Sequence, residues 1–359
     1  MSATPKSGAV AHPDSSRTSG LYRVAIVGAS TLKGKEVAEV LADRNFPSVD
    51  VKLLDDDESI GKLEPVGDEV SFIQSLRAEQ FQHIDFTFFS SDQEYTRKTW
   101  KTAQEAGSAI VDLSSALEDE AQAAIRSPWV ERESGRVPVP ELQPGPVVVA
   151  HPAAIVLGLL LLRLRNSGAI KRAVATVFEP ASEHGQKGMD ELHEQTVNLL
   201  SFQPLPKKIF DTQVAFNMVS RYGEQSLPAL ATVEHRVLKH YQGITGDAVP
   251  LPSLLLVQAP IFHGHAFALF VEMETAAEIQ NVSKTLAGEH VKVAEAVEDS
   301  PSNVNAAGQG DVLVSLLPDP SLSNGLWLWA ATDNLRIAAA NAVECAESMA
   351  ASRPKGQIQ

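Results

Sequence analysis

The hydrophobic positions of the first 150 residues form short apolar runs separated by segments with helical spacing. The runs lie at 22–27 (YRVAIV), 51–54 (VKLL), 86–90 (FTFFS) and 108–115 (SAIVDLSS). After the first run, Val37, Leu41 and neighbouring apolar residues recur on one helical face, and a second helix is predicted over 95–106. Strands that alternate with helices are typical of a parallel, doubly wound sheet.

The middle of the chain combines a strand with an apolar helix. A β-branched run at 147–149 is followed by His151 and Pro152, and then by apolar residues over 153–164. Because a proline disfavours helical backbone at the residue before it, the helix is predicted to begin at or just after Pro152. The apolar run is about 10–12 residues long, too short for a bilayer span of ~20 residues. Between 147 and 162, only His151 has a side chain that can act as an acid, base or nucleophile.

The second half of the chain predicts a different arrangement. A strand, a glycine-containing loop and an amphipathic helix follow over 173–200, a further helix lies at 233–242, and two strands surround a turn over 253–275. A strand at 312–320 and a strand leading into an alanine-rich helix end the chain. Strands with long connections predict an α+β domain on an antiparallel or mixed sheet. The predicted divisions are a disordered leader 1–20, a first domain 21–150, a second domain 151–328, and a helix 329–359 that returns to the first domain.

Composition and charge narrow the classes of partner. The chain has 359 residues, 44% of them apolar and 21% charged, as in a globular protein with two full cores. A net charge of −15 argues against nucleic acid and against anionic membrane surfaces, which would both be repelled. A single cysteine excludes an internal disulfide and favours a reducing, cytoplasmic location. The N-terminal segment lacks the apolar core of a signal peptide.

A glycine-containing turn follows the first strand. Gly28 and Gly34 flank the position at which doubly wound folds hold a pyrophosphate on a helix N-terminus. The pattern requires small residues, and Thr31 stands where a middle glycine is expected. A tight turn without a ligand is the equal alternative.

Several segments, taken together and in order, resemble the aspartate-semialdehyde dehydrogenases. They cover about residue 21 to residue 350 and include VAIVGASTLKGKEV, LADRNFP, VDLSSA (111–116), VPEL (139–142), GMDEL (188–192), AFN (215–217), PIFHGHA (260–266), AAGQGDVLVS (306–315) and GLWLWAATDNLRIAAANAV (325–343). The resemblance implies an α/β fold with a Rossmann-like doubly wound parallel sheet and a second α+β domain for dimerisation and catalysis. It also implies NADP-dependent chemistry, in which a cysteine thiolate attacks an aldehyde and phosphate releases the acyl group.

The catalytic motif of that family is altered in this chain. Its Asn-Pro-Asn-Cys-Ser-Thr segment corresponds to 151–156, so the nucleophile position is Ala154. The substrate-pocket positions are changed as well: a glutamine becomes Gly158, an anion-binding arginine becomes Glu118, and the arginine for the substrate carboxylate becomes Gln258. Glu118 is expected to repel an anion. Only His265, the acid/base position, is retained.

The resemblance also implies a set of cofactor-binding positions. They are Gly28, Ser30, Thr31, Leu32, Lys33, Gly34, Asp55, Ser90 and Asn334. The acidic residues at 55–58 follow the second strand, where carboxylates accept hydrogen bonds from a ribose diol but repel a 2′-phosphate. NAD is therefore favoured over NADP if a dinucleotide binds, and an acidic solvated loop is the alternative.

Other residues with reactive side chains offer no clear replacement for the nucleophile. Cys345 lies within the alanine-rich helix and is interpreted as a small buried core residue. Ser114 and Ser115 end a strand near the expected site, and backbone hydrogen bonding is the favoured interpretation of both.

The histidines allow one further alternative. His151, His263 and His265 could bind zinc if they met in one cleft, but no fourth ligand is predicted, and the favoured interpretation includes no metal. His184 lies at 182–185, where the family has a Ser-Gly-Ala-Gly turn, and it is expected to narrow the pocket.

Three functional hypotheses follow. The preferred one is a cytoplasmic homodimer that keeps the family's fold without its thioester chemistry and has a structural, regulatory or nucleotide-binding role, including pairing with an active paralogue. The second is an NAD(P)-dependent oxidoreductase of altered mechanism that uses His265 as acid/base. The third is an active semialdehyde dehydrogenase with an unidentified nucleophile.

Overall fold

The computed structural model describes residues 22–56, 58–67, 69–136, 145–226, 229–294 and 300–352. The predicted leader at 1–20, Asp57 and the VPEL segment at 139–142 lie outside the described residues. Two sheets of eight and six strands organise the described part.

The first sheet is built from the N-terminal strands. Its members are β1 (Tyr22–Val27), β2 (Ser48–Asp55), β3 (Leu63–Val66), β4 (Glu69–Ser75), β5 (Phe86–Phe89), β6 (Ala109–Asp112), β7 (Ala124–Arg126) and β8 (Val147–Val149). The order is β3-β4-β2-β1-β5-β6-β8-β7, and only the β3–β4 pair is antiparallel. The helices of this part are α1 (Leu32–Asp43), α2 (Gln93–Glu105) and α3 (Pro128–Ser134). The predicted Rossmann-like parallel sheet is confirmed.

The second sheet is mixed, as the sequence predicts. Its strands are β9 (Ile170–Glu179), β10 (Ser253–Gln258), β11 (His265–Met273), β12 (Val291–Val293), β13 (Val312–Pro318) and β14 (Gly325–Thr332). Their order is β10-β9-β11-β14-β13-β12, with β10–β9 and β13–β12 parallel. The helices that accompany this sheet are α4 (Pro152–Arg165), α5 (Gly185–Leu200), α6 (Leu230–Thr245), α7 (Ile279–Leu286), α8 (Asn303–Ala306) and α9 (Asn334–Ser352).

One prediction about the second sheet is wrong. The strands of 253–275 do not pair as a hairpin, because β9 lies between β10 and β11 and pairs with both. Hydrophobic runs identify strands, but long-range packing decides their neighbours. With ten residues, β9 is longer than β10 and longer than β11, and it pairs with both of them.

Helix α4 lies at the centre of the molecule. It begins at Pro152, as predicted, and every residue from Pro152 to Leu164 is buried. It packs against α3, α6, α7, α9 and β9. The buried Arg163 is satisfied by the Glu133 carboxylate and by the carbonyls of Leu286 and Glu289. A helix that is apolar on all sides is therefore stable here as part of the core.

The last helix, α9, packs on α1 of the first sheet domain. Arg336 of α9 donates to Glu36 and Asp43 of α1, and Glu347 accepts from Arg44 at 2.7 Å. Within the described ranges, no helix is long and apolar enough to cross a membrane.

Candidate functional site

The Glu183 carboxylate lies where the two sheet domains meet. It belongs to a 3₁₀ turn over Ala181–His184 and is nearly fully buried, with 6% of its side chain exposed. One oxygen lies 3.5 Å from the Lys33 ammonium, and the other accepts from the Asn334 amide at 2.7 Å. His151 Nε2 lies 3.9 Å from the same carboxylate. The structure therefore brings together two predicted cofactor positions and the N-terminal residue of the central motif.

The retained acid/base position, His265, lies beside this group. Its ring is 5.8 Å from the ring of His151, and it is fully buried. Neither ring nitrogen has a hydrogen-bond partner within the described chain. Burial lowers the pKa of His265 to about 4, and it lowers the pKa of His151 well below its ordinary value. Both imidazoles are therefore neutral near pH 7.

The third histidine of the zinc alternative has other partners. His263 Nε2 lies 2.8 Å from the Asp333 carboxylate, and Nδ1 lies 3.2 Å from the Ser182 hydroxyl. Burial would lower the pKa of His263, but the hydrogen bond with Asp333 raises it above its ordinary value. In the described ranges, no three His, Cys, Asp or Glu side chains form a group that could hold a metal ion.

The nucleophile position is occupied by a fully buried methyl group. Ala154 is the third residue of α4 and has no exposed surface. His151 caps the helix, because its Nδ1 accepts from the Ala153 N–H at 3.2 Å. The helix N-terminus that would lower the pKa of a thiol is thus present without a thiol.

Neither Cys345 nor Ser114, two of the residues considered as replacements for the nucleophile, supplies a ready thiolate or alkoxide here. Cys345 is buried in α9, about 16 Å along the helix from Asn334, and burial raises the pKa of its thiol to about 12. Ser114 donates its hydroxyl to Asp112 at 2.6 Å and accepts from the Ala116 N–H.

Glu118, which is expected to repel an anion, has two cationic or hydrogen-bonding partners of its own in the structure. Its carboxylate accepts from Arg236 Nε at 3.1 Å, and His240 Nε2 lies at 2.8 Å. Because His240 Nδ1 accepts from the backbone N–H of His151, Nε2 carries the proton that it donates to Glu118. Burial would raise the pKa of Glu118, but the His240 hydrogen bond and the Arg236 charge lower it to about 2. Glu118 is thus an internal counter-ion that is linked to the central motif through His240.

Gln258 and Glu179 form a second polar group. Both hydrogens of the Gln258 amide are used, by the carbonyls of Glu179 and Ala259, and its oxygen accepts from the Tyr222 hydroxyl at 2.6 Å. His184 Nε2 bonds to the same hydroxyl at 2.8 Å and lies 3.9 Å from Glu179. The side chain of Gln258 therefore has no donor left for a substrate carboxylate.

Glu179 carries a buried carboxyl group that has no hydrogen-bond partner in the part of the chain that the structure describes. It is 1% exposed, and neither oxygen has a partner among the described residues. Burial and the nearby Glu183 charge raise its pKa well above the ordinary value. Burial also lowers the pKa of His184 to about 4, so His184 supplies no positive charge near pH 7.

Gly158, which the resemblance places at a substrate-pocket position, lies at a close contact between helices. A Cβ at this position would meet Thr245 at 3.1 Å and Val130 at 3.3 Å. The missing side chain thus allows α4 to pack closely against α6 and α3. The motif alignment gave this residue a binding role, whereas its surroundings are those of a helix-packing glycine.

The glycine turn is held by its own hydrogen bonds. Thr31 caps α1 by accepting from the Gly34 N–H at 3.0 Å, and it donates to the Gly28 carbonyl at 2.7 Å. Ser90 donates to the carbonyls of Val27 and Gly28. A Cβ on Gly34 would lie 2.2 Å from the Gly28 oxygen, so the close approach of helix and turn requires glycine.

The Asp55 carboxylate is also engaged within the chain. It accepts from the Ser30 N–H at 2.7 Å and from the Asp56 N–H at 2.9 Å. The neighbouring Leu32 is partly exposed at the start of α1. The glycine turn thus has the close helix–turn approach that a dinucleotide-binding turn requires. The side chains of Lys33, Asn334 and Asp55, however, each already have a partner within the chain.

Sequence reasoning missed most partners in the site. Glu179, Tyr222, Arg236 and His240 were not identified, and Glu183 was noted only as part of a loop. Arg236 and His240 lie four residues apart on α6, which is the one local signal that they share a face.

Comparisons with known proteins agree with this architecture. Residues 23–136 match the family model of the semialdehyde dehydrogenase NAD binding domain, and residues 161–337 match that of the semialdehyde dehydrogenase dimerisation domain. The chain is 30% identical over 336 residues to an aspartate-semialdehyde dehydrogenase of Rickettsia bellii, covering 91% of this chain and 97% of that relative. It is 31% identical over 332 residues to a USG-1 protein homolog of Azotobacter vinelandii, covering 90% and 96%.

A solved structure supports the same relationship. The aspartate semialdehyde dehydrogenase II of Vibrio cholerae, solved in complex with ASA, superposes with a TM-score of 0.80 at 26% identity and covers 93% of this chain and 99% of its own. The NAD binding and dimerisation domains together match well over half of the 359 residues. The chain belongs to the semialdehyde dehydrogenase family, and its resemblance to the aspartate-semialdehyde dehydrogenases is confirmed.

Proposed function

We propose that this chain is a non-catalytic member of its family with respect to phosphorylating semialdehyde oxidation. The observation that carries the proposal is the buried methyl group of Ala154 at the N-terminus of α4. Thioester formation needs a nucleophile that attacks the aldehyde and later leaves from the acyl group, and a methyl group can do neither. In this proposal, the protein acts as a cytoplasmic homodimer with a structural or regulatory role, including pairing with an active paralogue.

The altered pocket supports the same conclusion. Gln258 has both amide hydrogens bonded to backbone carbonyls, and Glu118 is paired with Arg236 and His240. A carboxylate or phosphate ligand would therefore find neither of the arginines that its recognition requires. Restoring the thiol alone would leave both deficits in place.

The proposal is tested by enzyme assay of the purified wild-type chain and an Ala154→Cys variant. Phosphate-dependent oxidation of aspartate semialdehyde is followed by reduction of NAD or NADP. We expect no turnover by the wild type and none at an ordinary enzymatic rate by the variant, since Glu118 and Gln258 remain. Turnover by the wild type at such a rate would refute the proposal.

A second candidate is an oxidoreductase of altered mechanism with His265 as acid/base. The observation in its favour is that this imidazole is neutral near pH 7 and has no hydrogen-bond partner in the described chain. Calorimetric titration with NAD and NADP separates the two candidates. Tight binding of NAD by the wild type favours the second, and binding of neither nucleotide favours the first.

A further inference from the structure

Three helices begin around the Glu183 carboxylate. Helix α1 contributes Lys33, the second residue of the helix, and α9 contributes Asn334, its first residue. Helix α4 contributes its N-cap residue His151, 3.9 Å from the carboxylate. The N-terminus of a helix carries partial positive charge and attracts anions. The side chains around Glu183 thus come from the first residues of three helices, and one of them is a lysine ammonium.

The electrostatics of Glu183 are those of a bound anion. Burial alone would raise its pKa, but the charges of Lys33 and of protonated His151 and His265, together with the hydrogen bond from Asn334, lower the pKa below the ordinary value. Near pH 7, where both imidazoles are neutral, Lys33 and Asn334 are the partners that stabilise the carboxylate. The carboxylate is therefore ionised although its side chain is 6% exposed. A charge held in this way needs strong local stabilisation, because an isolated buried carboxylate would be neutralised.

A second observation indicates that the surroundings have capacity for a ligand. His265 is fully buried next to His151, yet neither of its ring nitrogens has a partner in the described chain. Its titration is influenced first by burial and then by the charge of Glu183. A buried imidazole with both nitrogens unpaired is an unused donor and acceptor beside the carboxylate.

We propose that Glu183 is a tethered anion that fills an anion-binding site formed by the side chains of Lys33 of α1, Asn334 of α9 and His151, the N-cap residue of α4. Glu183 thereby determines which anionic ligands can bind to Lys33 and Asn334. An external phosphate group, whether free or part of a dinucleotide, must compete with a carboxylate that already holds Lys33 and Asn334. The proposal goes beyond the absence of thioester chemistry, because it concerns ligand binding and does not depend on whether a reaction occurs.

Two substitutions of Glu183 test the proposal. Glu183→Gln removes the charge with little change in size, and Glu183→Gly removes the whole side chain. Inorganic phosphate and NADH are titrated separately by calorimetry, so that a site for free phosphate is distinguished from a site for a dinucleotide. Phosphate, NADH or both are expected to bind about tenfold or more tightly to both variants than to the wild type. A tenfold change in Kd equals about 1.4 kcal/mol of binding free energy.

A matched control changes a second carboxylate that pairs with a lysine of α1. Glu64 lies 2.9 Å from Lys35 and is outside this cleft, so Glu64→Gln should leave the affinity for both probes unchanged. Adding Lys33→Met to Glu183→Gln should abolish the gained binding. Thermal melting of each variant establishes that it is folded before it is titrated.

Three outcomes would overturn the proposal. They are wild-type affinity as high as that of the Glu183 variants, no gain of affinity in a folded Glu183→Gln protein, and a gain that survives Lys33→Met. None of them involves turnover of the semialdehyde. Failure of this proposal is therefore distinguishable from failure of the proposed function.

Discussion

Glu118 and Glu179 show two different results of placing a carboxylate inside this protein. Glu118 is paired with Arg236 and His240, and its pKa is lowered to about 2. Glu179 is 1% exposed, has no hydrogen-bond partner in the described chain, and has a pKa raised well above the ordinary value. One carboxylate is ionised at neutral pH, whereas burial favours the protonated form of the other.

The difference lies in what the neighbouring elements provide. Helix α6 presents a guanidinium and an imidazole to Glu118 from residues one turn apart. The elements around Glu179 provide Gln258, Tyr222 and His184, whose polar atoms mainly bond to one another and to the backbone. Of these two carboxylates, only the one with a cationic partner is therefore stable in its ionised form.

The largest effect is expected from Arg236→Ala. This change leaves the partly buried Glu118 carboxylate with His240 as its remaining side-chain partner, and the free energy of unfolding at pH 7 should fall by about 2 to 3 kcal/mol. Urea denaturation of the wild type and the variant measures the difference.

Lys239→Ala is the matched control for this prediction. Lys239 lies on the same helix and pairs with Asp119, whose side chain is 87% exposed. An exposed pair of this kind contributes at most about 0.5 kcal/mol. If the two alanine variants were equally stable, the Glu118–Arg236 pair would have no special role and the comparison would fail.

An opposite effect is expected from Glu179→Gln. Because the pKa of Glu179 is raised, the folded protein holds a proton that the unfolded chain has released, and wild-type stability falls as the pH rises above about 4.5. The variant lacks this loss, so its stability relative to the wild type should rise steadily from pH 4.5 towards pH 7, as urea denaturation at several pH values would show. Below pH 4.5, the difference should stop changing with pH.

The pH dependence of Glu118→Gln should have the reverse sign. The pKa of Glu118 is lowered to about 2, so its stabilising effect is complete above its ordinary value of 4.5 and is lost as the pH falls towards 2. The deficit of this variant should therefore shrink on acidification, while the advantage of Glu179→Gln is constant there. Parallel pH profiles for the two variants would contradict the assignment of one ionised and one protonated carboxyl.

Much of the fold is predictable from local patterns. Alternating strands and helices predict the first sheet, and the proline at 152 predicts the start of α4. The strands β3, β4, β7 and β12 were missed, because none of them is a continuous apolar run such as the three valines of β8. The false hairpin at 253–275 shows a second limit, since strand pairing is a long-range property.

The site is less predictable than the fold. The alignment of motifs identified Ala154, Glu118 and Gln258 as changed and His265 as retained, because a short motif shows directly which of its residues differ. It did not reveal the partner of Glu118, because Arg236 is 118 residues away in the chain. The effect of Glu118 on an anion was therefore predicted without its counter-ion, and it stays a prediction.

The smallest effect is expected from Tyr222→Phe. This change tests how much the Tyr222 hydroxyl stabilises the polar side chains around Glu179. The Tyr222 hydroxyl donates to Gln258 Oε1 at 2.6 Å and bonds to His184 Nε2 at 2.8 Å. Its loss leaves a buried amide oxygen without a donor, at a cost of about 1 kcal/mol in the free energy of unfolding. In the double variant with Glu179→Gln, this cost should persist, since Gln258 bonds to the backbone carbonyl of Glu179 and not to its side chain. If the cost vanished in the double variant, Tyr222 would act through the Glu179 carboxyl group, and the two groups would differ less than their hydrogen bonds indicate.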